Sequence, residues 1–349
     1  MIFTGDIALP CGYFDSFEIP KELLENSWFG NLEGSLVAAN ALKVRGVFND
    51  LNAIKELCVK LPFRAFGIAN NHLLDAADVN TTLNNLQLIG VDAVGGGGDI
   101  NAASKPLLIA DEDGTEYQIL AFGWENIQCK TATNKKQGVN PYSRDNVLRC
   151  VDAALKKNYP VVCFMHWNYE LEAYPQPYDR QLAMDLIDKG VSAVVGCHAH
   201  RTQPIEFYKG KPIVYGLGNF LFRQGYYFDG KLQFPRLCEE EYAFEITKEG
   251  YKIHHFIYNQ KENVLAYIKS EEVSENKSFA GKAVFSEMTS TDYETWFDSN
   301  RVQKKLLPIF HSKESAIGYA VKTKWIKFRG ELINILTKVN LKSANRSNK

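Results

Sequence analysis

Between Met1 and about Gln260 the chain repeats one unit: a short apolar run rich in Val, Ile and Phe, a polar turn, and often a stretch with helical spacing. Residues Asp50 to Leu61, Ala76 to Ile89, Asn146 to Lys157 and Tyr178 to Lys189 carry apolar side chains three and four positions apart, which predicts a helix over each. Gly90, Pro160 and Gly190 mark the ends of three of them. Strands alternating with helices predict an α/β fold with helices covering the sheet. After Gly218 the strands continue without helices, as in EEYAFEITKEGYKIHHFIYN, where Glu249-Gly250 predicts a hairpin turn, so the sheet is mixed or there are two packed sheets. From about Asn263 the apolar density falls, and from Ser312 onward WIKFRGELINILTKV returns to helical spacing with lysines between. The expected division is a main domain over residues 1–262 and a basic, mainly helical extension over 263–349.

With 349 residues, 45% of them hydrophobic, the chain has enough apolar surface for a large core, which excludes a disordered or disulfide-stapled protein. A net charge of -1 excludes a nucleic-acid role for the molecule as a whole. The charge is uneven: 12 basic and 2 acidic residues from Arg301 onward leave 28 against 39 in residues 1–300. The tail, with Trp325, Ile326, Phe328, Leu332, Ile333 and Leu336 among Lys322, Lys324, Lys327 and Arg329, reads as an amphipathic helix docked on the acidic main domain, with peripheral membrane contact as the alternative. Seven widely spaced cysteines without a CxxC pair read as reduced core thiols, against a Cys-ligated zinc site. There is no signal-peptide pattern and no apolar run of membrane-spanning length, so the expected location is cytoplasmic, with association at a membrane surface through the tail.

The chemistry lies where apolar runs stop. Six of them end directly in potential ligands: Asp6, then Asn31 and Glu33, then Asn70, Asn71 and His72, then His166, then His198 and His200, then Asn219. In open α/β sheets ligands bind outside the carboxyl ends of strands, so these ends converge if they share an edge. Carboxylates, imidazoles and an amide oxygen suit one or two divalent ions such as Mn, Fe or Zn. If the chain turns after the strand that precedes His198, its ring and that of His200 reach two adjacent ions. Glu33 could bridge a metal pair, whose bound water would become hydroxide near neutral pH, with His72 as general acid.

The ordered segments GD, NxEG, ANNHxxD (Ala69 to Asp75), HWxxE (His166 to Glu170), GxHxH (Gly196 to His200), QPIE and KPIVYxLGNF (Lys211 to Phe220) resemble the CapA family of capsule-synthesis and poly-gamma-glutamate biosynthesis proteins, similar in fold to calcineurin-like metallophosphoesterases. The resemblance covers roughly residues 1–260. It implies a four-layer α-β-β-α sandwich of two mixed sheets, and a divalent-metal-dependent phosphoesterase-like hydrolase in capsule or extracellular polymer biosynthesis. A non-catalytic component that holds an anionic polymer or assembles with capsule-synthesis partners, and a metal-dependent amide hydrolase, are the alternatives. On this pattern the metal ligands are Asp6, Glu33, Asn71, His166, His198 and His200, with His72 and Glu33 catalytic. The DxH motif that opens most metallophosphoesterases is Asp6-Ile7-Ala8 here.

Around these, Arg201, Asn70 and Asn219 are candidate contacts to an anionic polymer or phosphoester substrate, and Arg180 a weaker one. Trp167 and Glu170 are candidates for groups that pack on or orient the ligands. His254, His255 and His311 read as ordinary satisfied side chains, Gly95 to Gly98 as a flexible turn, and RQGYYFDG (Arg223 to Gly230) as an aromatic loop that either lines a cleft or packs on the sheet.

Overall fold

The computed structural model describes residues 1–12, 16–38, 46–302 and 306–338, apart from the side chains of 16, 18 and 334–338. One mixed sheet runs in the order β2 (Ser16–Glu18), β19 (Val264–Val273), β18 (Tyr251–Asn259), β17 (Glu240–Ile246), β1 (Ile2–Ala8), β3 (Trp28–Leu32), β6 (Phe63–Gly67), β7 (Asp92–Val94), with β16 (Asn219–Phe222) also on β1. The second runs β14 (Ile205–Tyr208), β15 (Lys211–Val214), β13 (Ala193–Cys197), β12 (Val161–His166), β10 (Glu116–Gly123), β9 (Leu107–Ala110). Two small pairs complete the strands: β4 (Ser35–Val37) with β5 (Phe48–Asp50), and β8 (Gly96–Gly97) with β11 (Gly138–Val139). The large sheets share one apolar core; Phe29 of β3 meets Phe164 of β12 edge-on at 5.0 Å. Helices flank them, giving the expected α-β-β-α sandwich with helices after it.

The four expected helices form with small shifts at their ends: α2 (Leu51–Lys60), α3 (Val79–Leu88), α5 (Arg144–Leu155) and α6 (Pro177–Lys189), beside the one-turn α1 (Lys21–Leu24) and α4 (Ile100–Ala103). Capping fixes the starts, because a side-chain oxygen satisfies an amide the helix leaves orphaned. Asp50 accepts from Ala53 N at 3.0 Å and Asp78 from Thr81 N at 2.7 Å, so α3 begins after Asp78 and not at Ala76. The Glu249-Gly250 turn joins β17 to β18 as expected. The first sheet runs past residue 262, since β19 pairs along β18 from Asn259↔Val264 to Tyr251↔Val273. Its fall in apolar density reflects a strand with several outward, exposed positions. The later helices are α7 (Ser290–Asn300) and α8 (Ala316–Lys338). Gly96 and Gly97 are not a loose turn: they pair with β11, and a Cβ on Gly97 would stand 2.4 Å from Ala103 N.

A buried acid in α6 gives this layer a pH dependence. Asp179 accepts the Tyr142 hydroxyl at 2.8 Å on one oxygen, while the other has no hydrogen bond. Burial pushes its carboxyl up to about 7, against the lowering effect of Tyr142. Its folded-state pKa thus exceeds the unfolded one, so its contribution is fully present below the unfolded value near 3.8 and is lost as pH rises through about 7. Asp179→Asn should remove that loss, about 4 kcal/mol at pH 7.5. Urea midpoints of wild type and variant compared from pH 5 to 8 check this; a constant gap between the two curves would contradict it.

Candidate metal centre

The six strand ends converge, but across two sheets. Asp6 and Asn31 lie on β1 and β3, Glu33 just beyond β3, and Asn219 opens β16; His166 ends β12, and His198 and His200 follow β13. The segment 70–72 arrives from beyond β6. Bringing β16 against β1 demands glycine: Asp6 N donates to Gly218 O at 3.1 Å, and a Cβ on Gly5 would lie 1.9 Å from that same oxygen. The chain turns sharply after β13, with φ of 91° at His198 and 57° at His200. Left-handed backbone at two non-glycine residues is strained and held by its surroundings. The two rings, 5.7 Å apart, therefore sit at a turn and not along a strand.

Three groups of candidate ligand atoms each fall within 4.8 Å of one another: Asp6 with Glu33 and His200, Glu33 with His166 and His198, and Asp6 with His166 and Cys197. Asp6 accepts from Asn31 Nδ2 at 2.8 Å and from His198 N at 3.1 Å. His166 Nε2 meets Asn71 Oδ1 at 2.8 Å. Glu33 is fully buried and neither carboxylate oxygen has a hydrogen bond; its Oε1 stands 3.7 Å from His72 Nε2 and 3.8 Å from His200 Nε2. Burial drives its pKa well up, and the charges of Asp6, Glu170 and Asp75 add to that. Burial also raises Asp6, and it holds His166 well below the usual imidazole range, reinforced by His198, His200 and His72. A buried carboxylate without donors, beside a His166 ring that burial holds in the neutral form, fits a bound cation, since burying such groups without compensation is costly.

The other expected residues divide by what they touch. His72 sits at the rim, with Nδ1 2.7 Å from Asp75 Oδ2. Glu170 is close enough to Glu33 for its charge to raise that group. Asn219 Oδ1 meets His200 Nδ1 at 2.9 Å and so fixes the ring, while its amide nitrogen donates to Cys238 O. Asn70 is engaged throughout by the protein: its Oδ1 accepts from Gly34 N and His72 N, and its Nδ2 donates to Leu32 O at 2.8 Å. These bonds stitch the loops after β3 and β6 together. Trp167 donates to Tyr215 O at 2.9 Å and stacks on that ring, which makes it a packing residue. Arg201 is half-buried, with a buried Nε that has no hydrogen bond. Arg180 is no anion site: its guanidinium grips Glu206. His254 and His255 pair with Glu245 and Glu271, and His311 with Glu294, away from the centre.

Cys197 is a free, buried thiol as expected, but it lies beside the centre. Its sulfur is 3.2 Å from His166 Nδ1 and belongs to the group with Asp6. The apolar run ending in it disguises that placement; its position directly before His198 is the available signal. Asp75 is legible only as the third residue after His72 in the ANNHxxD segment. At the absent DxH histidine, Ala8 is packed with Val47, Phe222, Tyr227 and Leu232. Aromatic rings wall the site instead: Phe234 stacks on His200 at 4.2 Å, and Phe228 of the RQGYYFDG loop stands 6.0 Å from His72.

The family model described as bacterial capsule synthesis protein PGA_cap matches residues 4–224. The "PGA biosynthesis protein CapA" of Bacillus subtilis (strain 168) is 33% identical over 168 residues, covering 47% of this chain and 44% of that protein. The "Capsule biosynthesis protein CapA" of Bacillus anthracis is 30% identical over 170 residues, covering 47% and 41%. The chain thus spans less than half the length of these curated relatives. A solved structure of a 5'-nucleotidase precursor from Thermus thermophilus is similar at 14% identity and a TM-score of 0.35, over 63% of this chain and 41% of that one. The family match takes in every strand end that feeds the centre, from Asp6 to Asn219, and on it the chain belongs to the bacterial capsule synthesis protein (PGA_cap) family.

Proposed function

We propose that the chain is a divalent-metal-dependent hydrolase of phosphoesterase type, acting on an anionic polymer or phosphoester during assembly of a capsule or related extracellular polymer. The observation that carries the reading is Glu33, a buried carboxylate with both oxygens lacking donors and within reach of His72, His166, His198 and His200. Asp6, Glu33, Asn71, His166, His198 and His200 would hold one or two ions. Such ions supply an activated water and neutralise charge on the group under attack. Asn219 holds the His200 ring, and Asn31 holds the Asp6 carboxylate. Asp75 stands 2.7 Å from His72 Nδ1 and would hold a proton there, so that a doubly protonated His72 would give its Nε2 proton to the departing oxygen and return to the neutral ring. Arg201 is the candidate contact for a substrate oxygen.

Elemental analysis of purified protein, with turnover of an aryl phosphodiester in Mn or Zn, tests the reading. Metal content near stoichiometric with turnover lost in His198→Ala is expected. Bound metal without turnover would favour a polymer-holding component, and turnover of a gamma-glutamyl amide alone would favour an amide hydrolase. His72→Asn should lower kcat by about 10²–10⁴ with unchanged metal content, because it removes the proton donor and no ligand. Loss of metal in that variant would count against the assignment.

A further inference from the structure

Helix α8 has two apolar sides, and the fold uses one. Toward the protein, Tyr319 accepts from Trp124 Nε1 at 2.7 Å, Thr323 is buried, and Ile326 packs on the core. On the opposite side Ile317, Val321, Trp325, Phe328 and Leu332 are 79%, 60%, 46%, 56% and 43% exposed. Their spacing of four, four, three and four places them within an arc of about 80° at 100° per residue. Single exposed apolar residues are ordinary, but a continuous stripe of five marks a contact surface. The indole of Trp325 is held by a hydrogen bond to Leu306 O at 3.2 Å, and Leu306 is itself exposed.

We propose that this outward stripe docks the protein onto an anionic lipid bilayer. Charge selects that occupant. Residues 316–338 carry Lys322, Lys324, Lys327, Arg329 and Lys338 against Glu331 alone. Lys324 and Arg329 flank the stripe on its two sides. Apolar residues with a central aromatic, edged by Lys and Arg, are what an interfacial helix needs: the stripe enters the acyl boundary while the cations meet lipid phosphates. A second copy of the helix would bring the same cations together, which disfavours self-pairing. Among the described residues no helix is long and apolar enough to cross a membrane, so α8 lies along the surface and does not span it. The acidic body counts for less, because the bilayer's potential fades within a Debye length of about 8 Å.

The docked helix is tied to the end of the sheet that carries the metal centre. Trp124, which α8 holds through Tyr319, donates its backbone N–H to His166 O at 3.1 Å, and Lys327 pairs with Glu125 at 3.3 Å. Lipid contact and the centre therefore share one end of the second sheet.

Co-sedimentation of the full chain with vesicles tests the proposal, using phosphatidylcholine alone and an equal mixture with phosphatidylglycerol. Binding to the mixed vesicles at least about tenfold stronger than to phosphatidylcholine alone, and weakened by salt, is expected. Phe328→Asp with Leu332→Asp should abolish it while leaving the melting temperature unchanged, since both side chains already face solvent. Lys324→Gln should weaken it by about fivefold, the equivalent of about 1 kcal/mol per surface cation. Equal binding to both vesicle types, no binding to either, or binding indifferent to the double substitution would overturn the proposal. So would a concentration-dependent dimer in light scattering that the double substitution dissolves, because the stripe would then belong to a second copy.

Discussion

Glu33→Gln should stabilise the metal-free protein and, in the same molecule, remove its response to metal. The Glu33 carboxylate is buried, has no protein donor on either oxygen, and its pKa is raised by burial and by neighbouring Asp6, Glu170 and Asp75. An amide carries no charge, so the substitution relieves the cost of a buried charge beside Asp6, on the order of 1–3 kcal/mol. With Mn or Zn at about a hundredfold over its dissociation constant, wild type should gain about 2.7 kcal/mol. For a chain of this size that is a rise of roughly 4 °C in melting temperature. The variant loses the carboxylate shared by two of the three ligand groups, so EDTA and metal should leave its melt unmoved and phosphodiester turnover should fall to background. Differential scanning calorimetry of the two proteins, with metal and with chelator, makes the comparison. A wild-type melt indifferent to EDTA would remove the structural share assigned to the ion.

The prediction combines two kinds of information that differ in how far the sequence discloses them. Strand ends are legible because a run of Val, Ile and Phe that stops at Asp6, His166 or His198 marks both the strand and the point where the backbone leaves it. Helix starts are legible to within a few residues, and the capping oxygens of Asp50 and Asp78 account for the remainder. Which sheet a strand joins is not written in its apolar run. Nothing local to Asn219 says that β16 lies beside β1, a pairing that depends on two glycines whose backbones touch. Cys197 shows the same limit from the other side. A buried thiol looks alike in sequence whether its neighbours are leucines or ligands, and only the register of β13 on β12, which sets Cys197 opposite His166, brings its sulfur to that ring. Asn70 and Trp167 illustrate the converse: polar and aromatic residues beside ligands attract a functional reading, whereas most of their hydrogen bonds go to the backbone, Asn70 adding one to Asn31 Oδ1 at 3.5 Å.

Arg180 attracts an anion-binding reading for the same reason, and its real partners predict the second large effect. From α6 its guanidinium reaches Glu206 of β14 with contacts of 2.6 and 3.0 Å, and also donates to Phe285 O and Met288 O at 3.2 Å. Tyr293 of α7 faces it at 4.7 Å, and Tyr215 donates to the same Glu206 carboxylate. One cation thus fastens the second sheet to the segment that leads into α7. Arg180→Ala should destabilise by about 3–5 kcal/mol, because it leaves Glu206 buried without its counter-charge. Arg180→Lys should recover little, since an ammonium cannot reproduce the fork geometry. Arg180→Met with Glu206→Gln should recover most of the loss, since the costly species is the lone charge and not the missing attraction. Denaturant midpoints rank the four proteins. Limited proteolysis adds a reading specific to place: in Arg180→Ala, cleavage should appear first between residues 274 and 300, where the lost hydrogen bonds were. Uniform cleavage along the chain would instead mean that Arg180 supports the core in general and does not fasten the extension.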